Sequence, residues 1–211
     1  MPYATDFALP PDVKLIGIFG GIASGKSFVA RALEKLGAGR LDADGAGHAV
    51  LDEPEVRTAL RARFGDGVFA SDGSVDRRAV ARLVFGPSPE AAEHLAYLEQ
   101  LTHPRIADRL RDQAAASVGQ GKTVLILDAP VLLKAGWDRF CTHLLFVDSS
   151  LSKRQERAAE RGWKPGELEA REATQDPLEA KRRRANLYVD NSGTAEETAT
   201  ELARLWSELS G

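Results

Sequence analysis

The chain has 211 residues, of which 43% are hydrophobic and 28% are charged, and its formal net charge is −3. These values are ordinary for a soluble globular protein built as one large domain or as a core with insertions. The negative net charge predicts no binding to nucleic acid or to an anionic membrane surface. No stretch approaches the roughly 20 apolar residues of a membrane helix.

The chain contains a single cysteine, Cys141, so an intrachain disulfide is impossible. This fits a reducing compartment, and we expect a cytoplasmic protein. Residues 1–11 lack a basic start followed by an apolar run, so we expect a short irregular lead-in rather than a secretory signal. The oligomeric state stays open.

Short apolar segments that end in glycine or acidic residues predict the buried strands of a sheet. In chain order they are Lys14 to Phe19, Arg40 to Leu41, Lys122 to Leu127, His143 to Val147 and Leu187 to Val189. Helical character is found at residues 27–36, 52–118, 151–161, 165–184 and 195–209. A helix from Glu90 to Leu101 is predicted to be interrupted near His103-Pro104 and to resume to about Ala116.

Strands that alternate with helices predict an α/β fold whose parallel sheet is covered on both faces. Ligands of such sheets collect at the carboxyl ends of the strands. We predict one chain with three parts: a core of residues 12–50, 120–150 and 185–211, a helical substrate-binding insertion at 51–119, and a helical lid at 151–184.

The first predicted strand is followed by a phosphate-binding loop. The pattern G-x-x-x-x-G-K-[ST] is matched by Gly20, Gly21, Ile22, Ala23, Ser24, Gly25, Lys26 and Ser27. The backbone amides of such a loop point at a phosphate chain, and the helix that follows adds its positive N-terminal dipole. Lys26 is predicted to bridge the β- and γ-phosphates, and the Ser27 hydroxyl to bind Mg²⁺. A chance match is disfavoured because the pattern lies between an apolar strand and a helix.

A phosphate loop alone leaves the reaction open. Residues 42–45 (D-A-D-G) match the D-x-x-G of a GTPase switch, but no N-K-x-D guanine-reading motif follows. A protein that only binds nucleotide is also possible, although Lys26 and Ser27 are intact. The hypothesis that explains most residues is that the chain is a small-molecule kinase. Such an enzyme needs a carboxylate near the acceptor hydroxyl and a mobile cationic lid.

Asp42 and Asp44 are the candidate carboxylates at the acceptor. If the segment is extended, alternate residues point the same way and the pair shares one face. Two acids after a strand are otherwise turn-forming or helix-capping residues. Asp128 follows the apolar run V-L-I-L, which is the setting of an acid that holds Mg²⁺ through water, or of a simple strand-end turn.

The spacing of Arg154, Arg157 and Arg161 places three arginines on one helical face. Such a row can clamp phosphates and stabilise charge in a transition state. The alternative is a solvated basic face paired with Glu156 and Glu160. The run K-R-R-R at 181–184 has no interleaved aromatic residues, so a solvated or phosphate-facing helix is favoured over a nucleic-acid patch.

Several further pieces, in order, resemble the dephospho-CoA kinase family from about Leu15 to Gly193. They are I-G-I-F-G-G-I-A-S-G-K-S at 16–27, L-D-A-D at 41–44, D-G-S-V-D-R-R-A-V at 72–80, V-F at 84–85, L-T-H-P-R-I at 101–106, D-A-P-V-L-L at 128–133, R-x-x-x-Q ending at Gln175 and V-D-N-S-G at 189–193. No later piece is decisive alone, but their order and spacing are specific.

The resemblance implies a P-loop kinase fold with a five-stranded parallel sheet, a helical CoA-binding insertion and a helical lid. It implies transfer of the γ-phosphoryl group of ATP, with Mg²⁺, to the 3′-hydroxyl of dephospho-CoA, the last step of coenzyme A synthesis. Asp44 matches the family's proposed base, with Asp42 beside it. Arg157 and Arg161 match arginines of the lid helix, and Arg77 and His103 fall in the CoA-facing region. Another P-loop small-molecule kinase is the alternative.

The sequence departs from the family pattern at three positions. Ala23 replaces a usual glycine, so we expect ordinary negative φ there. Lys134 stands where a glutamate is usual and leaves the acceptor contacts in that region open. Asn186 replaces a usual aspartate before the last strand.

Overall fold

The computed structural model describes residues 8–129 and 132–210. The expectations for the lead-in up to residue 7, and for Pro130 and Val131 of the D-A-P-V-L-L segment, lie outside the described residues. The chain divides into two compact units, residues 43–112 and residues 8–42 together with 113–129 and 132–210. Within the described ranges, every helix is too short or too polar to cross a bilayer.

The second unit contains a parallel sheet. Its strands among the described residues are β1 (Lys14–Gly20), β2 (Gly39–Asp42), β3 (Val124–Asp128), β4 (His143–Asp148) and β5 (Leu187–Asp190). The order across the five-stranded sheet is β2-β3-β1-β4-β5, with every neighbouring pair parallel. The predicted α/β class and the five-stranded parallel sheet are therefore confirmed.

The strands form because their side chains are apolar and are covered on both faces. In β1 only Lys14 is partly exposed, and the six residues that follow are buried. One face packs against α1 (Lys26–Leu36) and α9 (Ala195–Ser210). The core on this face is built from aliphatic residues of the sheet and the two helices, namely Ile16, Ile18, Val29, Leu33, Ile126, Leu145, Val147, Val189 and Leu202.

The opposite face of β1 is covered by the segment around Leu132 and Cys141. A Cβ built on Gly17 would lie 2.8 Å from Cys141 Sγ and 2.9 Å from Leu132 Cδ2, so glycine allows this close packing. Burial raises the pKa of the Cys141 thiol to about 12. Because a thiol rather than a thiolate is present at neutral pH, Cys141 acts as a packing residue.

The first unit is helical. Among the described residues, the other α-helices are α2 (Ala43–Leu51), α3 (Pro54–Phe64), α4 (Arg77–Phe85) and α5 (Ala91–Gly119), and, in the second unit, α6 (Leu151–Glu160), α7 (Glu167–Glu172) and α8 (Leu178–Arg182). Glu53, which precedes α3, makes ion pairs of 3.4 Å with Arg105 and 2.8 Å with Arg109 on α5. Buried aliphatic residues fill the interior of this unit, among them Val50, Val56, Leu60, Val80, Val84, Ile106 and Leu110.

Helix α5 is continuous through Pro104, so the predicted interruption near His103-Pro104 is wrong. Proline removes only one backbone donor, and neighbouring side chains bond to carbonyls of the same stretch. Thr102 Oγ1 donates to Leu98 O at 2.8 Å, and Arg105 Nη1 donates to Leu101 O at 3.0 Å. The long charged region predicted at 165–184 also differs, since it contains the two short helices α7 and α8.

Candidate active site

The loop Gly20–Ser27 connects β1 directly to α1, at the carboxyl edge of the sheet. A Cβ on Gly20 would overlap with the carbonyl oxygen of Val147 in β4. Gly25 is the N-cap of α1 and has φ of +95°, a left-handed conformation that favours glycine. The helix therefore begins at Lys26 with its free amides and positive dipole facing the loop, as phosphate binding requires.

Ala23 is left-handed, with φ of +59°, so the predicted negative φ is wrong. The loop has to curl around a central anion site, and this turn needs a left-handed residue at that position whichever side chain it carries. Alanine can adopt the conformation at an energetic cost, because its Cβ crowds the following carbonyl. Its side chain is 4% exposed and packs against the surrounding protein, which offsets part of the cost.

Replacing Ala23 with glycine is expected to raise the free energy of unfolding by about 0.5–1 kcal/mol, because relief of the left-handed strain exceeds the added entropy of the unfolded chain. Urea unfolding followed by circular dichroism measures the change. The matched control is Ala32→Gly inside α1, which is expected to lower stability by about 1 kcal/mol. If both variants lose stability alike, the strain at Ala23 is negligible.

The Lys26 side chain lies over the loop. Its Nζ donates to Gly21 O at 2.8 Å, with Gly20 O at 3.5 Å. Partial removal from water lowers the pKa of Lys26 to about 8, which the nearby carboxylate of Asp128 opposes and the charge of Lys181 reinforces. The carbonyl oxygens replace only part of the hydration that the Lys26 ammonium has lost. A phosphate bound beside the ammonium would stabilise its charge.

Two carboxylates end neighbouring strands of the second unit. Asp42 and Asp128 are register partners in the β2–β3 pair. The Gln113 side chain accepts from the Asp42 backbone amide at 2.7 Å, and Arg40 Nη2 lies 3.9 Å from an Asp128 carboxylate oxygen. Asp128 also acts electrostatically on Lys26, so this carboxylate lies near the phosphate loop.

The donor set at the loop suits a magnesium ion shared with phosphates. Ser27 exposes its side chain at the start of α1, and the Asp128 side chain is 12% exposed. Within the described ranges, no cluster of three or more His, Cys, Asp or Glu residues could hold a metal by itself. Mg²⁺ in phosphotransferases is typically held by one or two protein oxygens together with phosphate oxygens and water, and these residues fit that arrangement.

Asp44 lies on a helix, so the argument that an extended segment places Asp42 and Asp44 on one face is wrong. Strand β2 ends at Asp42, α2 begins at Ala43, and Asp44 occupies its first turn with an exposed side chain. An acid is favourable there because it complements the helix dipole.

Asp44, Arg77 and His103 all belong to the first unit. Arg77 is exposed at the start of α4, immediately after the N-cap Asp76, whose carboxylate accepts from the amides of Arg78 and Ala79. His103 is half-buried on α5.

The two arginines of α6, Arg154 and Arg157, and its C-cap Arg161 have different environments. Arg154 is 6% exposed, forms an ion pair with Glu172, and donates from Nε to Ser149 O at 3.2 Å. Its partner is therefore neither Glu156 nor Glu160, and it is not part of a solvated basic row. Burial with a carboxylate partner makes Arg154 a structural link between α6 and α7.

Arg157 points into the phosphate loop. Its Nη1 donates to Ser24 O at 3.1 Å and, more weakly, to Ala23 O at 3.4 Å. The same guanidinium donates to Ser149 Oγ at 3.0 Å and to Asn191 O at 2.7 Å. Arg161 follows α6 as its C-cap, and its charge contributes to lowering the pKa of Lys26.

A cavity of about 730 Å³ opens beside the loop within the second unit. Its walls are the start of α1, one face of α6 and the chain after β5, and its lining residues include Gly25, Lys26, Ser27, Arg31, Lys153, Arg157, Arg161, Asn191 and Thr194. Five basic side chains line it against two acidic ones, Glu156 and Glu160. The volume and the positive excess suit a nucleotide-sized polyanion.

The basic run at 181–184 is largely paired. Arg182 lies 3.5 Å from Asp148, Arg183 lies 3.5 Å from Glu179, and Arg184 lies 2.5 Å from Asp138. Lys181 differs, because its Nζ donates to Gln175 Oε1 at 2.7 Å and its charge acts on Lys26. The arginines therefore neutralise nearby acids, and Lys181 is a member of the run whose charge acts on Lys26 of the phosphate loop.

Two residues near the loop carried no role in the sequence-based interpretation. Asn191, after β5, donates to Ser24 O of the loop, and Ser149, after β4, accepts from Arg157, which itself donates to the loop. Their signal was their position, since both directly follow strand-end aspartates, Asp148 and Asp190. A polar residue one place beyond a strand end reaches the same sheet edge as the phosphate loop.

An all-parallel sheet with a G-x-x-x-x-G-K-S loop after its central strand, a lysine over that loop and a basic cavity beside it define a P-loop phosphotransferase. A sequence model described as dephospho-CoA kinase matches residues 14–197. The chain belongs to the dephospho-CoA kinase family.

Individual proteins agree with the family match. The chain is 38% identical over 196 residues to a dephospho-CoA kinase from Geobacter metallireducens, covering 92% of this chain and 96% of the relative. The crystal structure of TT1252 from Thermus thermophilus is 33% identical, with a TM-score of 0.76 over 94% of this chain and 99% of that one. A dephospho-CoA kinase structure from Campylobacter jejuni, at 20% identity and a TM-score of 0.69 over 93% and 96% of the two chains, shares the fold.

Proposed function

We propose that this chain transfers the γ-phosphoryl group of ATP to the 3′-hydroxyl of dephospho-CoA, giving coenzyme A and ADP as the last step of coenzyme A synthesis. The observation that carries the proposal is the loop Gly20–Ser27, seated between β1 and α1 in a chain whose family match runs over residues 14–197. A small-molecule acceptor and a cytoplasmic location belong to the same proposal.

In this proposal the ATP phosphates lie on the loop Gly20–Ser27, and the nucleoside end occupies the 730 Å³ cavity. Lys26 leaves the Gly20 and Gly21 carbonyls and binds the β- and γ-phosphates, which satisfy its charge better than neutral oxygens do. Arg161 adds positive charge on the α6 side, and Arg157 holds the loop in shape. These groups stabilise the charge that spreads over the transferred phosphoryl group.

Ser27 and Asp128 would hold Mg²⁺ together with the phosphates. When bound, the ion neutralises the β- and γ-phosphate oxygens. The chain's own contribution is a hydroxyl at the start of α1 and a carboxylate at the end of β3, both on the elements that frame the loop.

At the acceptor, Asp44 orients the 3′-hydroxyl and accepts its proton. The support is its place as the second acid of L-D-A-D and its exposed carboxylate on the first turn of α2. Asp42, Arg77 and His103 are proposed to contact dephospho-CoA. Arg77 is suited to a phosphate of the acceptor, because it is exposed and carries a planar fork of donors.

The direct test is an acceptor panel. Purified chain is incubated with ATP and Mg²⁺ plus dephospho-CoA, AMP, CMP, shikimate or no acceptor, and coenzyme A and ADP are separated by liquid chromatography. We expect ADP in proportion to coenzyme A with dephospho-CoA, and little ADP otherwise. Turnover of a nucleoside monophosphate without coenzyme A formation would make the chain a different small-molecule kinase. GTP hydrolysis without any acceptor would favour a GTP-binding switch.

The affinity for ATP is expected to fall above pH 8. Lys26 has a pKa of about 8 in the free chain, so it is charged below that pH and increasingly neutral above it. Binding of the triphosphate favours the charged form, so each pH unit above 8 should raise the Kd for a non-hydrolysable ATP analogue up to about tenfold, until the pKa of the complex is reached. Isothermal titration calorimetry from pH 6.5 to 9.5 measures this dependence.

The control for the pH dependence is Lys26→Arg, whose guanidinium stays charged over the whole range. Its Kd is expected to be weaker overall and nearly independent of pH above 8. A wild-type Kd that stays constant up to pH 9.5 would show that the Lys26 ammonium is not discharged in this range.

A further inference from the structure

The side chain of Asn191 is 3% exposed and connects three parts of the second unit. Its Nδ2 donates to Ser24 O in the phosphate loop at 2.8 Å. Its Oδ1 accepts from Thr198 Oγ1 of α9 at 3.1 Å, and its backbone amide donates to Asp148 O at 2.9 Å. The Ser24 backbone oxygen can only accept, so the end of the amide that faces the loop is the Nδ2 donor, and Oδ1 is left to accept from the Thr198 hydroxyl.

Arg157 completes the arrangement from the other side. Its guanidinium donates to the backbone oxygens of both Asn191 and Ser24, and to Ser149 Oγ. Ser149 Oγ in turn donates to Asn191 O at 3.2 Å. The Ser24 carbonyl is thus held by two side chains that are themselves fixed by buried partners.

The held carbonyl lies at the most constrained part of the loop. Ser24 is flanked by two left-handed residues, Ala23 with φ of +59° and Gly25 with φ of +95°. A Cβ on Gly25 would overlap with Asn191 Nδ2, so the missing side chain is what lets the amide reach the loop. The hydrogen bonds fix the peptide group after Ser24, and with it the direction of the neighbouring amides that face the anion site.

We propose that Asn191, oriented by Thr198, is a positioning residue for phosphoryl transfer: its amide holds the turn at Ala23–Gly25 so that the phosphates of ATP meet a pre-formed loop. It contacts no reacting atom and acts through the loop backbone. Pre-organisation lowers the free energy that binding must spend on ordering the loop, so its loss weakens binding of ATP more than binding of the acceptor. The inference rests on the proposed phosphotransferase function.

The test compares Asn191→Asp with Asn186→Asp. Asn191→Asp removes the donor to Ser24 O and points a carboxylate oxygen at that carbonyl. At Asn186 the side chain is an acceptor, because Oδ1 accepts from Leu144 N at 2.8 Å, and an aspartate keeps that role. Both substitutions replace an amide with a carboxylate, one just before β5 and the other just after it. Only Asn191→Asp breaks a hydrogen bond to the phosphate loop.

For Asn191→Asp we expect the Kd of a non-hydrolysable ATP analogue and the KM for ATP to rise about tenfold to a hundredfold. The KM for dephospho-CoA should change less than about threefold, and Asn186→Asp should match the wild type in every value. Equal losses at both substrates, an unchanged ATP affinity, or the same loss in Asn186→Asp would overturn the proposal. The Kd is measured without acceptor, so the proposal is tested even if the acceptor is not dephospho-CoA.

A milder pair covers the case in which Asn191→Asp does not fold. Thr198→Val removes the hydroxyl that orients the Asn191 amide, whereas Thr200→Val, on the same helix, removes an exposed hydroxyl that donates to Glu196 O at 2.8 Å. We expect Thr198→Val to weaken binding of the ATP analogue about threefold to tenfold, and Thr200→Val to leave it unchanged. Wild-type affinity in a folded Thr198→Val variant would contradict the proposed orientation.

Combining Asn191→Asp with Ala23→Gly tests whether Asn191 acts through the loop. Glycine adopts the left-handed turn more readily, so the loop depends less on being held. The loss of ATP affinity caused by Asn191→Asp should therefore be at least about threefold smaller in the Ala23→Gly chain than in the wild type. An effect of the same size in both backgrounds would show that Asn191 acts on ATP binding by a route other than the Ala23–Gly25 turn.

Discussion

Replacing Asp44 with asparagine is expected to lower kcat for coenzyme A formation about 10²–10⁴-fold, with a much smaller change in the KM for ATP. Asparagine keeps the size of the side chain and can still accept a hydrogen bond, but it cannot take the proton of the 3′-hydroxyl. Asp44 is exposed on the first turn of α2, so the fold should tolerate the change. Steady-state kinetics with both substrates varied measure the effect.

Two other aspartates serve as comparisons. Asp52 is exposed just after α2, and Asp52→Asn should keep wild-type turnover. Asp42→Asn should raise the KM for dephospho-CoA more than it lowers kcat, because Asp42 is proposed to bind rather than to accept the proton. If Asp44→Asn retained near wild-type kcat while Asp42→Asn lost it, the roles of the two acids would have to be exchanged.

Lys26→Met is expected to reduce kcat/KM for ATP about 10²–10³-fold, because the transferred phosphoryl group loses its fixed cation. The exposed Lys35 at the end of α1 provides the control, and Lys35→Met should be indistinguishable from the wild type. A Lys26→Met chain whose kcat/KM fell less than threefold would contradict the assignment of Lys26 to the phosphates.

The same substitution should not weaken the fold. Lys26 has a pKa near 8 in the folded chain and near 10.5 when unfolded, so at neutral pH its charge is less favourable in the folded chain. Methionine removes that cost, and the free energy of unfolding at pH 7 should stay the same or rise. The unfavourable contribution of Lys26 decreases as the pH rises from 8 to 10.5, so any stability difference between variant and wild type should shrink over that range.

The overall fold could be predicted from the sequence because the strands are unusually clear. The run of β1 and the runs that end in Asp128 and Asp148 are short and apolar, as buried strands are, and the glycine-rich loop lies between a strand and a helix. Side-chain periodicity and turn residues together determine these elements.

The wrong predictions applied a local rule at positions where tertiary packing decides the conformation. Proline disfavours a helix, but α5 continues through Pro104 because only one donor is lost. Alanine disfavours positive φ, but the loop geometry imposes it on Ala23. The spacing of Arg154 and Arg157 is right for one helical face, yet only the packing of α7 decides that Arg154 is buried against Glu172.

The contact of Asn191 with the phosphate loop could not be predicted from local sequence patterns. Asn191 and Thr198 are far from Ser24 in sequence, and only the folded sheet edge brings them together. Single polar residues after a strand are common, so their type alone could not identify Asn191 as a contact of the phosphate loop.

The measurement that tests the central proposal most directly follows the phosphoryl group itself. Dephospho-CoA is incubated with the chain, Mg²⁺ and ATP carrying ¹⁸O in its γ-phosphoryl group, and the product is analysed by mass spectrometry and by ³¹P NMR. We expect three labelled oxygens on a new phosphomonoester at the 3′-position, with one ADP formed for each coenzyme A. Label recovered as inorganic phosphate, or on any hydroxyl other than the 3′-hydroxyl, would contradict the proposed reaction.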